Sequence, residues 1–110
     1  MEQHYAYILG PMLPRISIDR RRIAEFCQRH HIRKLALFGS VLRDDFGPDS
    51  DVDVLVEFEP GHVPGFAHFD VQEELGALLG RKVDLHTAGS LSRYFREAVL
   101  REAQVQYVAA

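Results

Sequence analysis

Apolar and polar positions change their period several times along this chain, and each change marks an element. Between residues 18 and 31, Ile23, Phe26, Cys27 and His30 recur at three- and four-residue spacing. That spacing predicts a helix with one apolar face. Ser17 or Asp19 can cap its start. Arg20, Arg21, Arg22 and Arg29 fall mostly off that face and read as its solvated side. Residues 34–38, KLALF, are apolar and stop at Gly39, as in a strand buried on both faces. A sharp turn through Gly39-Ser40 follows, with a short helical turn expected at Val41 to Asp44. Gly47-Pro48, then Asp49 and Ser50, make a loop.

Residues 51–58, DVDVLVEF, alternate strictly. Period two puts Asp51, Asp53, Leu55 and Glu57 on one strand face, and Val52, Val54, Val56 and Phe58 on the other. The apolar face should pack on helices, and the face that starts with two carboxylates should border an open cleft. A Gly- and Pro-rich loop, residues 59–68, precedes Asp70 and Glu73, which are spaced as a capping box for a second helix. Val71, Leu75, Leu78 and Leu79 supply its buried stripe and Gly80 ends it. Residues 82–87, KVDLHT, read as a third strand with Asp84 and His86 on one side. Beside the second strand in the usual orientation, it brings Asp84 to the cleft with Asp51 and Asp53. Ser90 or Ser92 can cap a last helix running to about Glu102. Its inner line is Leu91, Phe95, Val99 and Ala103, with Tyr94 and Ala98 alongside. The tail 104–108, QVQYV, suits a short edge strand. Residues 1–16 hold neither period, and Pro11 and Pro14 make them an arm. The expected organisation is an arm, 1–16, and one domain, 17–110. The fold class is α/β (α+β), a small mixed sheet with helices packed on one face.

Composition narrows the partners. A chain of 110 residues fits a single domain. A net charge of −3 argues against a nucleic acid held by its phosphates. Cys27 is the single cysteine, so no intramolecular disulfide forms. A reducing cytoplasm is the simplest setting. Cys27 itself reads as a small buried hydrophobe. The first fifteen residues resemble neither a signal peptide nor a membrane span, since their apolar part is short and broken by Gly10, Pro11 and Pro14.

The charge pattern carries the chemistry. From Asp44 to Glu59 there are seven acidic residues and no Lys or Arg. Such a run is costly to fold unless a cation neutralises it. Two aspartates one residue apart on a strand project the same way, about 7 Å apart at Cα. They can share a hard cation, and a third carboxylate opposite can complete a second site. Ligands that are all oxygen suit Mg²⁺ or Mn²⁺ rather than Zn²⁺. Two such ions can drive in-line transfer at phosphorus. The bland reading is a strand edge that happens to carry acids. Against it stand the isolation of Asp84 in an apolar strand and the lack of a nearby base. Gly39 lets the backbone approach a ligand, and free N–H groups with the Ser40 hydroxyl can face a phosphate. A Gly-Ser pair alone says little, but here it follows a buried strand and precedes an Asp-x-Asp strand.

Gly39-Ser40, Arg43, Asp45, Ser50-Asp51, Asp53 and Asp84 together resemble the signature of the polymerase-β-like nucleotidyltransferase superfamily, and most closely its minimal, MntA-like antitoxin branch. The resemblance covers roughly residues 18–107. It implies that Gly39 and Ser40 hold the nucleotide phosphates and that Asp51 and Asp53 bind the metals. It implies that Asp84 assists the second metal and the attacking hydroxyl. It places Arg43 near the phosphates or in bracing the loop. Asp45 is expected to be structural, through a pair with a neighbouring Arg. It further implies Mg²⁺-dependent transfer of AMP from ATP to a hydroxyl, expected to be that of a tyrosine, of a HEPN-domain toxin. At this length no second domain holds an acceptor, so another protein should supply it. Two other readings compete. One is an antitoxin that works by binding alone. The other is a nucleotidyltransferase for a small molecule such as an aminoglycoside. The arm and the tail strand are the expected contact surfaces of a hetero- or homo-oligomer.

The histidines stand apart from this signature. His30 and His31 suit the C-terminal end of the first helix, where positive charge is favourable. His62 and His68 are expected as exposed loop residues. His86 shares Asp84's expected face and is the one histidine placed near the site. Tyr94, Phe95 and Tyr107 read as core or interface rather than a base-stacking platform, and Glu57 lies too far along its strand to join the site.

Overall fold

A computed structural model describes residues 16–110 of the protein. Nearly all of the expected arm therefore lies outside the described residues. In chain order the elements are helix α1 (Arg20–Arg29), strand β1 (Ile32–Phe38), a 3-10 turn (Gly39–Leu42), β2 (Val52–Phe58), helix α2 (His68–Leu79), β3 (Val83–His86), a second 3-10 turn (Ala88–Ser90), helix α3 (Arg93–Glu102) and β4 (Gln104–Val108). The strands form one sheet in the order β3-β2-β1-β4. β1 runs antiparallel to both β2 and β4, and β2 runs parallel to β3. The sheet is therefore mixed, as the sequence led us to expect.

Register explains where the core lies. Ile32, Leu35 and Leu37 of β1 stand opposite Phe58, Val56 and Val54 of β2. Val52 and Val54 stand opposite Val83 and Leu85. All of these side chains are buried, and Ile23, Phe26 and Cys27 of α1 join Val71 and Leu75 of α2 over them. The other face of β1 is also partly closed, since Ala36 and Phe38 are buried too. Burial pushes the Cys27 thiol up to about 12, so it stays protonated and acts as a small apolar side chain.

Local chemistry sets the ends of the elements. The Asp19 carboxylate accepts from the backbone N–H groups of Arg21 and Arg22 and caps α1. Gly80 ends α2 in the left-handed region, at φ 68°. Ser92 caps α3 by accepting from Tyr94 N–H. β3 is an edge strand, yet the outward backbone groups of Leu85 are covered. Leu85 N–H donates to Gln72 Oε1 at 2.9 Å, and the His68 ring lies 3.1 Å from Leu85 O. Both partners come from α2, which blunts the edge.

Four local expectations need correction. The first 3-10 turn begins at Gly39 rather than Val41. Helix α2 begins at His68, and Ala67 before it makes no side-chain cap. Asp70 thus lies within the first turn, where its charge favours the helix dipole without capping it. His68 is consequently a helix residue bonded to β3, not an exposed loop histidine. In α3 only Val99 is fully buried, while Phe95 and Tyr94 are exposed, at 62% and 90%. The helix is anchored through its C-terminal half, by buried Val99 and by Glu102 on Gly39 N–H, and its first-turn aromatics stay exposed.

Leu35 is 1% exposed and sits centrally in the sheet core. Leu35→Ala removes that packing and should lower stability by about 2–5 kcal/mol. Urea unfolding followed by circular dichroism measures the change in midpoint.

Candidate active site

The parallel pairing of β2 with β3 sets Asp53 directly opposite Asp84. On the other side, the antiparallel pairing of β1 with β2 sets Asp53 opposite Phe38, the residue before the Gly39 turn. Asp53 therefore lies between the turn and the third acid. Asp51 comes one residue before β2 and is half-buried.

Gly39 has φ 77°, a conformation that side chains with a Cβ rarely adopt. A Cβ placed there would collide with Asp53 Oδ2. Backbone and carboxylate thus share a space that only glycine leaves open. Ser40 follows in the 3-10 turn, and its carbonyl accepts from Arg43 N–H at 2.8 Å.

The acids converge. Oxygens of Asp53 and Asp84 and a ring nitrogen of His86 all lie within 4.8 Å of one another. His86 Nε2 is 3.2 Å from Asp84 Oδ2 and 3.8 Å from Asp53 Oδ1. Its ring also packs on Phe38, 5.5 Å between centroids. Burial pushes the Asp53 carboxyl above the ordinary range, His86 pulls it back, and the charges of Asp84, Asp51 and Glu102 push it up again. A site in which burial and like charges make Asp53 hard to ionise fits a divalent cation, and its donor set is two carboxylates and an imidazole. The Asp51 carboxylate acts on Asp53 through its charge but lies outside that close group of ligand atoms.

Arg43 and Asp45 occupy different surroundings. The Arg43 guanidinium donates to Glu102 Oε1 at 2.7 Å, while Glu102 Oε2 accepts from Gly39 N–H at 3.0 Å. One carboxylate at the end of α3 thereby holds both the glycine turn and the arginine. Asp45 is exposed and makes no ion pair among the described residues, contrary to the pairing expected for it. Its neighbour Arg43 is engaged by Glu102 instead.

Sequence reasoning missed Glu102 and Arg81. Arg81 donates to the carbonyls of Gly47 and Ser50, at 2.6 and 3.0 Å, and stacks over Phe46. It pins the loop that delivers Asp51. The signal for Glu102 was present in the tail. Pairing β4 with β1 sets Gln104 opposite Leu37, which carries the end of α3 to Gly39. Arg81 had no comparable signal, because its partners are backbone carbonyls of a loop.

This constellation of glycine turn, Asp-x-Asp strand and parallel third acid is that of a nucleotidyltransferase. The family model for the nucleotidyltransferase domain matches residues 20–106. The protein adenylyltransferase MntA of Thermococcus cleftensis is 42% identical over 79 residues, 71% of this chain and 78% of that protein. The chain therefore belongs to the nucleotidyltransferase domain family, on its MntA-like branch, and is an enzyme of that class. The fold recurs in a toxin–antitoxin structure with AMP-PNP, at TM-score 0.68, 19% identity, 84% of this chain and 75% of that one. It recurs again in the complex of tri-AMPylated Shewanella oneidensis HEPN toxin with MNT antitoxin, at TM-score 0.60, 20% identity, 82% of this chain and 70% of that one.

The raised Asp53 pKa has a sign that stability can report. A carboxyl that binds its proton more tightly folded than unfolded costs stability once the pH exceeds its folded pKa. Asp53→Asn should therefore melt higher than the wild type at pH 7 without added metal. The advantage should shrink as the pH falls toward 3.8, the ordinary value, where the wild-type carboxyl is itself protonating. Thermal melts across that range measure it, and a constant advantage would show that charge is not the cause.

Proposed function

We propose that the protein transfers AMP from ATP to a hydroxyl, that of a tyrosine, on a HEPN-type toxin, and so acts as its antitoxin. The observation that carries this reading is the placement of Asp53 opposite Asp84 and against the Gly39 backbone. That arrangement joins a cation site to a backbone turn suited to a triphosphate. The supporting likenesses are to a protein adenylyltransferase, to a toxin–antitoxin structure with AMP-PNP and to an AMPylated toxin complex.

Asp51, Asp53 and Asp84 would hold Mg²⁺ or Mn²⁺, with His86 completing the donor set. Such an ion, when bound, supplies positive charge against the triphosphate and polarises the bonds at phosphorus. The chain's own groups do the rest. The Gly39 turn and the Ser40 hydroxyl bind phosphate oxygens, and Glu102 keeps that turn and Arg43 in place. Asp84 is 54% exposed, so an incoming group can reach it. It orients the acceptor hydroxyl and takes its proton as the oxygen attacks the α-phosphorus. The new bond is O–Pα, the bond broken is Pα–O–Pβ, and pyrophosphate leaves. A protein acceptor fits the exposed aromatic side chains, Phe66 at 96%, Phe69 at 63%, and Tyr94 and Phe95 on α3. Among the described residues no helix is long and apolar enough to cross a membrane. A reducing cytoplasm suits the single buried thiol.

Incubation with labelled ATP, Mg²⁺ and the HEPN-type partner tests the reading. Label is expected on a partner tyrosine, and Asp51→Asn with Asp53→Asn should lower its transfer by at least about a hundredfold. A partner that binds tightly and stays unlabelled would establish the binding-only antitoxin instead. Label on an aminoglycoside but not on protein would establish the small-molecule enzyme.

A further inference from the structure

At the pole of the sheet opposite the acids, three metal-ligating side chains meet. They are His31, Glu59 and His62, with ligand atoms within 4.8 Å of one another. Ile32 pairs with Phe58 at that end of β1 and β2, and Phe38 pairs with Asp53 at the other. Six residues of strand separate the two poles, about 20 Å at 3.3 Å per residue. The group is therefore independent of the nucleotidyltransferase site.

Its scaffold is built from backbone. His31 follows the C-cap of α1 and has φ 56°, the one non-glycine residue with positive φ among those described. Its carbonyl accepts from Glu59 N–H at 2.8 Å, which extends the β1–β2 pairing to Glu59. Pro60 and Gly61, the latter at φ 81°, then turn the chain so that His62 N–H donates to Glu59 O at 3.0 Å. A turn with Pro then a left-handed Gly brings its first and last residues together. The result is a stacked pair of imidazoles, His31 on His62, 3.9 Å between centroids and 18° from parallel. Beside them His31 Nδ1 lies 3.5 Å from Glu59 Oε1.

We propose that His31, Glu59 and His62 form a site for a divalent transition ion of the Zn²⁺ class. Two imidazoles with one carboxylate are a nitrogen-rich set, which prefers Zn²⁺, Co²⁺ or Ni²⁺ over Mg²⁺. Metal–ligand bonds of about 2.0–2.1 Å in a tetrahedron put ligand atoms about 3.4 Å apart. His31 and Glu59 already stand at that spacing. The remaining distances must shorten by little more than about 1 Å, by splaying two imidazoles whose side chains are free to turn. The fourth position is open to water, as both histidines are exposed and Glu59 is only half-buried. The bound ion would tie the α1–β1 connection to the loop that leads from β2 to α2.

Calorimetric titration of the untagged full chain with Zn²⁺, in the presence of millimolar Mg²⁺, tests the site, together with the visible spectrum of Co²⁺. One equivalent of Zn²⁺ should bind, and Co²⁺ should give the d–d bands of a low-coordinate nitrogen–oxygen site. His31→Asn keeps a residue that tolerates the left-handed backbone, and His62→Ala lies in an exposed loop, so both should fold. Each should weaken Zn²⁺ by more than the roughly 10–100-fold that loss of an outer-shell partner costs. Asp53→Asn and Asp84→Asn should leave this binding unchanged. Failure to bind one equivalent overturns the proposal. So does binding that survives both histidine variants, or binding abolished by Asp53→Asn.

Discussion

The structure turns on one arrangement of like charge, the pairing of Asp53 with Asp84 across parallel strands, close against the backbone of Gly39. Burial and three neighbouring carboxylates make Asp53 hard to ionise. Among the described residues, His86 lies close enough to both acids to offset them. A strand that carries such a pair must be held from its other side. β2 is held by alternation itself, since Val52, Val54, Val56 and Phe58 are buried while Asp53, Leu55 and Glu57 face away from the core. Burial of each such side chain is worth about 1.5–3 kcal/mol, enough for the apolar face to hold the acidic face in place.

Much of this was legible in the sequence because it is periodic. DVDVLVEF permits one strand orientation only, and a one-residue slip would bury the aspartates and expose the valines. The position of Asp84 was legible on one condition, a third strand beside the second in parallel. The helix between them, α2, makes that crossover. What periodicity does not encode are contacts made by single polar groups between distant segments. Glu102 holding Gly39 and Arg43, Arg81 on the Gly47 and Ser50 carbonyls, and the meeting of His31 with His62 are of this kind. Each depends on where two loops or element ends come together. The aromatic residues of α3 were misplaced for a related reason. Helical spacing identifies an apolar face but not what covers it, and Tyr94 and Phe95 are left exposed.

Glu102 also alters how the glycine turn is understood. The Gly39 N–H and the Arg43 guanidinium share one carboxylate, so the turn and the arginine are held together from the end of α3. In the proposed reading, a triphosphate at the turn would compete with Glu102 for the same donors, and replacing one anion by the other would keep the half-buried Gly39 N–H paired.

The mixed topology gives the two ends of the central strands different chemistry. Where β2 starts, β1 ends and β3 runs alongside, which brings the carboxylates of Asp53 and Asp84 and the imidazole of His86 to one place. Where β2 ends, the short β3 has already stopped beside Leu55, and the α1–β1 connection meets the Glu59–His62 turn. Those segments deliver two imidazoles and one carboxylate. Oxygen donors favour hard ions and imidazoles favour borderline ones. In the proposed reading, the different proportions of carboxylate and imidazole at the two poles would favour different ions, so occupation of one pole need not compete with the other.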